Sequence, residues 1–298
     1  MDTGHQALDT EFMRKVKTAI FPVGGLGTRF LPATKSMPKE MLPIANKPII
    51  QYAFEEARNA GIEKFIFVTG RNKNAINNHF DHAYELESKL DEKNKSKELG
   101  QVMGWLPDAG QIAFVRQQKP LGLGHAIWCA RNFIAHKEAF VVILADEMLL
   151  TRSFLPKMIE LYQSKEEVAS LVAVDEIAAE DTDKYGIIKT EGAEKIIDMV
   201  EKPKPDIAPS NLAITGRYIL QPEIFEYLAK FEVGSGGEIQ LTDAMRAMCK
   251  QHPFYYKKLD EQRFDCGNVL GYLEANIAFA LENKSIATDV RKILVKYS

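Results

Sequence analysis

Three glycines, an arginine and a lysine lie close together near the start of the sequence: Gly24-Gly25-Leu26-Gly27-Thr28-Arg29, then Lys39. Glycine admits positive φ and lets the backbone approach a ligand closely. Turned backbone N–H groups in such a loop form a nest for an anion. Arg29 adds a planar fork that matches phosphate oxygens, and Lys39 adds a second positive charge. Together they suit a polyphosphate; either charge alone would be ordinary surface. Pro32 and Pro38, with Pro43 just beyond, stiffen the segment and hold Lys39 in place. The segment also excludes two other phosphate-binding patterns. A dinucleotide fingerprint needs its last glycine to open directly into a helix, and no regular helix runs through these prolines. A P-loop needs Gly-Lys-Ser/Thr after its second glycine, and that is absent here.

The loop follows an apolar run, 17–23, that reads as a buried strand. Ligands of open α/β sheets bind at the carboxyl ends of such strands. Runs 64–69, 112–116, 139–145 and 171–175 read likewise. They are continuous rather than alternating, as strands covered on both faces require. Between them the spacing predicts helices at 46–60, 124–136 and 154–163. Asn46 is the plausible N-cap of the first, Pro48 lies in its first turn and Gly61 ends it. This order implies a mostly parallel sheet. The second half changes character, with strands expected at 185–190, 196–201 and 213–220. Helices are expected at 222–231, at 239–250 and from about 271 to the end. Leu241, Ala244, Met245 and Met248 form one apolar stripe, a core face. The charged stretch 85–97 reads as solvated. A flexible tail over 1–14 and a single domain over 15–298 with C-terminal helices are the expected organisation.

The chain has 298 residues, 46% hydrophobic and 27% charged, with a net charge of -3. That balance argues against a nucleic-acid binder, which carries a basic excess. Its 3 cysteines, Cys129, Cys249 and Cys266, fit no zinc or redox spacing. A reduced, cytoplasmic setting is expected. No apolar run approaches the ~20 residues that span a bilayer.

Beyond the loop the sequence resembles a known family. GG-x-GTR-x-x-P followed by P-K is similar to the sugar nucleotidyltransferases (nucleoside-diphosphate-sugar pyrophosphorylases). The longer runs LPATKSMPKEMLP and NKPIIQYAFEEA resemble, within that family, the bacterial UTP–glucose-1-phosphate uridylyltransferases. VRQ, GLGHA, YGII, VEKPKPDIAPSNLAITGRY, GEIQLTDA and DCGN follow in order, so the resemblance runs from about Lys15 to Ala280. It implies a Rossmann-like αβα sandwich with a mixed, mostly parallel central sheet, of the glycosyltransferase-A type. It implies uridylyl transfer from UTP to glucose 1-phosphate with Mg²⁺, and a homo-oligomer, dimer or tetramer.

The resemblance also assigns residues. Gly24, Gly25 and Gly27 hold the nucleotide, with Arg29 and Lys39 on its triphosphate. Gln117 and Gly122 match base-reading positions. Asp146 and Asp265 match the metal ligands; read alone, Asp146 is as well explained as a cap at the end of its strand. Many relatives carry a second Asp after the first, where this chain has Glu147. Glu201 would accept from glucose hydroxyls, Lys202 would hold the sugar phosphate, Gly186 would let backbone approach the sugar, and Asn211 would lie on the sugar side. The histidines, His125 among them, read as structural. The rival readings are a sister enzyme using dTTP, a non-catalytic nucleotide-sugar sensor and a dinucleotide-dependent oxidoreductase. The sensor should have lost charged positions, and all of them are present. The oxidoreductase should have an acid after the second strand, where Thr69-Gly70-Arg71 stands.

Overall fold

An apolar run without alternation must be covered on both faces. The first strand shows it: β1 (Val16–Val23) sends Ala19, Phe21 and Val23 into one hydrophobic core and Ile20 into another. The computed structural model describes residues 15–165, 167–192 and 194–297. The tail expected at 1–14 lies outside the described residues. The remaining strands are β2 (Pro43–Ile44), β3 (Lys47–Pro48), β4 (Lys64–Thr69), β5 (Ile112–Arg116), β6 (Ala139–Ile143) and β7 (Glu147–Leu149). After them come β8 (Ser170–Glu176), β9 (Gly186–Glu191), β10 (Lys195–Glu201), β11 (Leu212–Leu220), β12 (Phe254–Lys258) and β13 (Arg263–Asp265).

A 9-stranded sheet runs in the order β5-β4-β1-β6-β11-β8-β12-β10-β9. β5, β4, β1 and β6 are parallel throughout. Farther along, β12 is parallel to β8, β11 is antiparallel to both its neighbours, and β9 and β10 form an antiparallel pair. Helices Ile49–Asn59, Phe154–Ser164 and Val269–Glu282 pack on one face; Leu123–Cys129, Ile224–Leu228 and Leu241–Met248 cover the other. The fold is thus a Rossmann-like αβα sandwich with a mixed sheet. The stripe of Leu241, Ala244, Met245 and Met248 is buried as its spacing requires. Helices Tyr84–Glu92 and Ser96–Met103, which contain the charged stretch, bury no residue. No described helix is long and apolar enough to cross a membrane.

Several helix boundaries differ from expectation: the helix expected over 124–136 ends at Cys129 and gives way to a 3₁₀ turn at Arg131–Phe133. The helix expected from Asn46 begins at Ile49, because β2 and β3 pair around Ala45-Asn46, with Ala45 at φ 53°. Asn before Lys-Pro serves a tight turn as well as a cap, and the pairing decides for the turn. The terminal helix is two, Val269–Glu282 and Ala287–Tyr297, the first capped by Asn268, whose Oδ1 accepts from the Gly271 N–H at 2.9 Å.

A charged pair is sealed inside this sandwich. Arg217 on β11 forms a fork with Glu56 of the Ile49–Asn59 helix, Nε to Oε1 and Nη2 to Oε2, both at 2.7 Å. Both side chains are almost fully buried. Burial works against the Arg217 charge, and the Glu56 carboxylate outweighs it, so the guanidinium stays above its ordinary pKa. Its Nη1 also donates to the carbonyls of Leu144 and Gly216, each at 3.1 Å. Removing one partner strands the other charge in the core. Arg217→Met is therefore expected to cost about 3–5 kcal/mol in urea unfolding. A loss under about 1 kcal/mol, the worth of an exposed pair, would show that the fork is not sealed from water.

Candidate active site

The glycine loop leaves β1 and turns at Gly27, which has φ +66°, a conformation L side chains rarely adopt. Thr34 Oγ1 donates to the Gly27 carbonyl at 2.7 Å and pins that turn. Short 3₁₀ turns at Thr28–Phe30, Ala33–Lys35 and Lys39–Met41 then carry the chain through the prolines, with no regular helix before Ile49. Gly24, Gly25, Gly27, Lys39, Gln117 and Gly122 all line one cavity of about 500 Å³. The sequence-level nucleotide set is thus gathered in one place.

A second cavity, of about 770 Å³, is lined by Arg29, Asp265, Gly186, Glu201 and Lys202, together with Tyr185, Tyr218 and Thr242. Leu123, Leu144 and Asp146 belong to both cavities. Arg29 therefore faces the second cavity, while Lys39 faces the first. Asn211 is brought to neither. It precedes β11, which reaches the cavity only from Ile214 to Tyr218. The Asn211 amide instead donates to Glu176 Oε1 at 3.2 Å.

The two candidate metal ligands meet through a small pairing of strands. β6 ends at Ile143, so Asp146 lies past the strand end, in the turn to β7. β7 runs antiparallel to β13, with Glu147 opposite Asp265. The Cys266 N–H donates to the Asp146 carbonyl at 2.7 Å and extends the pairing to the ligand itself. A β-carbon built on Gly267 would lie 2.8 Å from Asp265 Oδ1, 3.2 Å from Asp146 Oδ2 and 3.7 Å from Arg29 Nη1. Both carboxylates and the guanidinium thus surround one spot. The Gly267 N–H donates to Asp265 Oδ1 at 2.8 Å, and Asn268 Nδ2 donates to Asp265 Oδ2 at 3.0 Å, fixing that carboxylate. Lys39 Nζ donates to Asp146 Oδ2 at 2.5 Å.

Charge is balanced tightly here. Burial pushes the Asp146 carboxyl up, but Lys39, with a smaller effect from Arg29, holds it below the usual carboxylate range. Burial likewise opposes the Lys39 charge, and Asp146 and Glu40 keep it above its ordinary value. Two hard carboxylate oxygens on one spot fit a divalent cation whose shell is completed by phosphate oxygens and water, as Mg²⁺ prefers. Glu147 is engaged elsewhere: its Oε2 accepts from Arg263 Nη1 at 2.6 Å. Burial raises the Glu147 carboxyl, with Arg263 opposing. Arg263 Nε reaches on to Asp175 Oδ2 at 3.2 Å.

In the second cavity, Lys202 directly follows β10 at φ 49°, which turns it out of the strand direction. Its N–H donates to the Tyr185 carbonyl at 2.9 Å, and its Nζ lies 3.5 Å from Glu201 Oε1. A β-carbon on Gly186 would lie 2.9 Å from Thr242 Oγ1 and 3.2 Å from Glu201 Oε2. Thr242 is thus a polar neighbour of this pocket that sequence reading missed. Its only signal is its place beside the apolar stripe, at the start of the Leu241–Met248 helix.

The chain belongs to the nucleotidyl transferase family, which it matches over residues 18–282. Within that class it is similar to the UTP–glucose-1-phosphate uridylyltransferase of Bacillus subtilis (strain 168), 46% identical over 92% of this chain and 94% of the relative. The UTP-bound UGPase from Acinetobacter baumannii superposes with a TM-score of 0.87 at 36% identity, covering 95% of this chain and 100% of that one. A UDP-glucose pyrophosphorylase complexed with UDP-glucose superposes at 0.80 with 43% identity, over 90% of this chain and 100% of that one.

The turn that carries Asp146 rests on Gly216. The Leu144 N–H donates to the Gly216 carbonyl at 2.9 Å. A β-carbon on Gly216 would sit 2.7 Å from Leu144 Cβ and 2.8 Å from Glu147 Cβ. Gly216→Ala must push the turn aside, at a cost of about 1–3 kcal/mol. Displacing a reacting group by about 1 Å costs on the order of a hundredfold in rate. The variant is expected to melt a few degrees lower yet lose turnover out of proportion to the stability change. Thermal unfolding and pyrophosphate release measured together check this; unchanged turnover would mean the turn is fixed by other contacts.

Proposed function

We propose that this chain transfers the uridylyl group of UTP to glucose 1-phosphate, forming UDP-glucose and releasing pyrophosphate. The observation that carries the reading is the wall shared by the two cavities. A glycine-lined pocket with Lys39 and a pocket with Glu201 and Lys202 meet at Asp146. The similarity to enzymes of that name, and to structures bound to UTP and to UDP-glucose, supports uracil as the base and glucose as the sugar.

In the reaction an oxygen of the sugar phosphate attacks the α-phosphorus of UTP. The bond from that phosphorus to the α–β bridging oxygen breaks, and pyrophosphate leaves with the electron pair. The attacking oxygen is already ionised, so no general base is needed. Both partners are anions, so position and charge neutralisation dominate the catalysis. In this reading Gly24, Gly25 and Gly27 turn backbone toward the triphosphate, and Arg29 and Lys39 neutralise it. Gln117 and Gly122 face the base. Gly186 leaves room for the glucose ring, Glu201 accepts from its hydroxyls, and Lys202 holds its phosphate. Asp146 and Asp265 would hold Mg²⁺, which as a Lewis acid draws negative charge off the phosphate oxygens. A cytoplasmic setting belongs to the same reading and suits the free cysteines Cys129, Cys249 and Cys266. So does a homo-oligomer, dimer or tetramer: Leu270, Leu273 and Ile293 on the last two helices are exposed apolar surface for a second copy to cover.

Pyrophosphate release with each nucleoside triphosphate, crossed against glucose, galactose and mannose 1-phosphates, tests the assignment; the UTP and glucose pair should be fastest, and no activity with any pair would sink it. Lys202→Ala removes a charge-assisted contact, so binding of glucose 1-phosphate should weaken by about ten- to a hundredfold while UTP binding barely moves. Equal losses in calorimetry would contradict the role. Asp146→Asn should abolish Mg²⁺-dependent turnover with the circular dichroism spectrum unchanged. A rate at saturating Mg²⁺ equal to the parent's would refute the ligand assignment.

A further inference from the structure

His125 lies outside the machinery described so far, yet it touches the one amide that faces the base. The Gln117 Nε2 atom contacts two groups. It donates to the Gly122 carbonyl at 3.1 Å and lies 3.0 Å from His125 Nδ1. A carbonyl oxygen can only accept, so the NH₂ edge of the amide must point this way. An NH₂ group carries two hydrogens. The Gly122 carbonyl takes one, and the other faces Nδ1, which is then the acceptor. The imidazole consequently carries its proton on Nε2. Burial holds His125 below its ordinary pKa, which keeps the ring neutral and Nδ1 able to accept. The ring packs beside Trp128 and Phe231, with centroids at 6.1 Å and 5.9 Å.

With the NH₂ edge engaged, only the carbonyl edge of Gln117 is left for the pocket. Gln117 Oε1 lies 2.9 Å from where a β-carbon on Gly24 would stand, so it borders the nucleotide loop. An acceptor at that place distinguishes pyrimidines of the same size. Uracil presents an N–H at N3. Cytosine presents a lone pair there, and two lone pairs facing each other repel. Were the amide reversed, the preference would reverse with it.

We infer that His125 is a positioning residue that, beside the Gly122 carbonyl, locks the orientation of the Gln117 amide, so that the nucleotide pocket accepts an imide base and rejects cytosine. The inference rests on the uridylyl-transfer reading of the site.

Three variants test it: His125→Phe and His125→Ala remove the acceptor, and His125→Asn keeps an acceptor oxygen near the place of Nδ1. The ratio of kcat/KM for UTP over CTP should fall about tenfold in the first two, the effect of one neutral hydrogen bond. KM for UTP should rise while KM for glucose 1-phosphate stays within about twofold, since one unmade hydrogen bond acts only at its own site. His125→Asn should restore most of the ratio. A merely structural histidine would lower stability and all activities together and leave the ratio where it was. An unchanged ratio in the variants that fold, read by circular dichroism, overturns the inference, as does an Asn variant no better than Ala. Wild-type protein that turns over no UTP overturns the proposed function and takes this inference with it; wild-type activity with an unchanged variant ratio overturns the inference alone.

Discussion

Two strands of three residues each decide whether the site exists. β7 follows Asp146 and β13 ends on Asp265, and their antiparallel register sets Glu147 against Asp265. The hydrogen bond from Cys266 to the Asp146 carbonyl continues that register by one step. Every other feature of the centre depends on this pairing, because it gathers three carboxylates. Two like charges about 4 Å apart repel by roughly 4 kcal/mol even at an effective dielectric of 20. The repulsion is tolerable only because cations are interleaved: Lys39 on Asp146, Arg263 on Glu147, and Arg29 beside the spot both aspartates face. A site charged in this way favours a divalent cation and phosphates together and resists either sign alone.

The pairing is held from below by an irregularity in the sheet. β11 shifts register against β8 between Ile214 and Tyr218. Gly216 lies in that interval and lets the Leu144–Glu147 turn pass directly over it. Arg217, the next residue, binds the Leu144 carbonyl from the buried side while forked onto Glu56. The turn that carries Asp146 is thus clamped between β13 on one side and β11 on the other. β13 itself contributes Asp265 and β11 lines the larger cavity between Ile214 and Tyr218, so both clamps fix where the carboxylates stand. This is how a packed scaffold makes a site more exact than its loops could be alone.

Much of this was legible beforehand, for physical reasons that differ by element. β1 and β4 are buried on both faces or close to it, so their apolar runs mark them within a residue. The glycine loop was readable because positive φ and an adjacent Arg and Lys are a local demand of phosphate binding. The helix start at Ile49 was not, since a turn and a cap use the same residue types at Asn46. β7 and β13 are too short to show any period, and Thr242 carries no signal of its own on an amphipathic helix. Asn211 shows the converse: the residues around it match the motif, but the chain directs its amide to Glu176 rather than to the cavity.

By itself the sequence determined the class of fold, the presence of a glycine loop with an arginine and a lysine beside it, and, through ordered motifs over most of its length, the family. These depend on local properties: backbone freedom at glycine, apolar runs, charges at fixed spacing. Only the tertiary structure decided that Asp146 and Asp265 share one spot, that Arg29 and Lys39 face different cavities, and that Glu147 is committed to Arg263. It also decided which edge of Gln117 meets the cavity lined by the glycine loop. Each of these depends on register between strands distant in the chain, and register is set by packing of the whole sheet rather than by any residue's own preference.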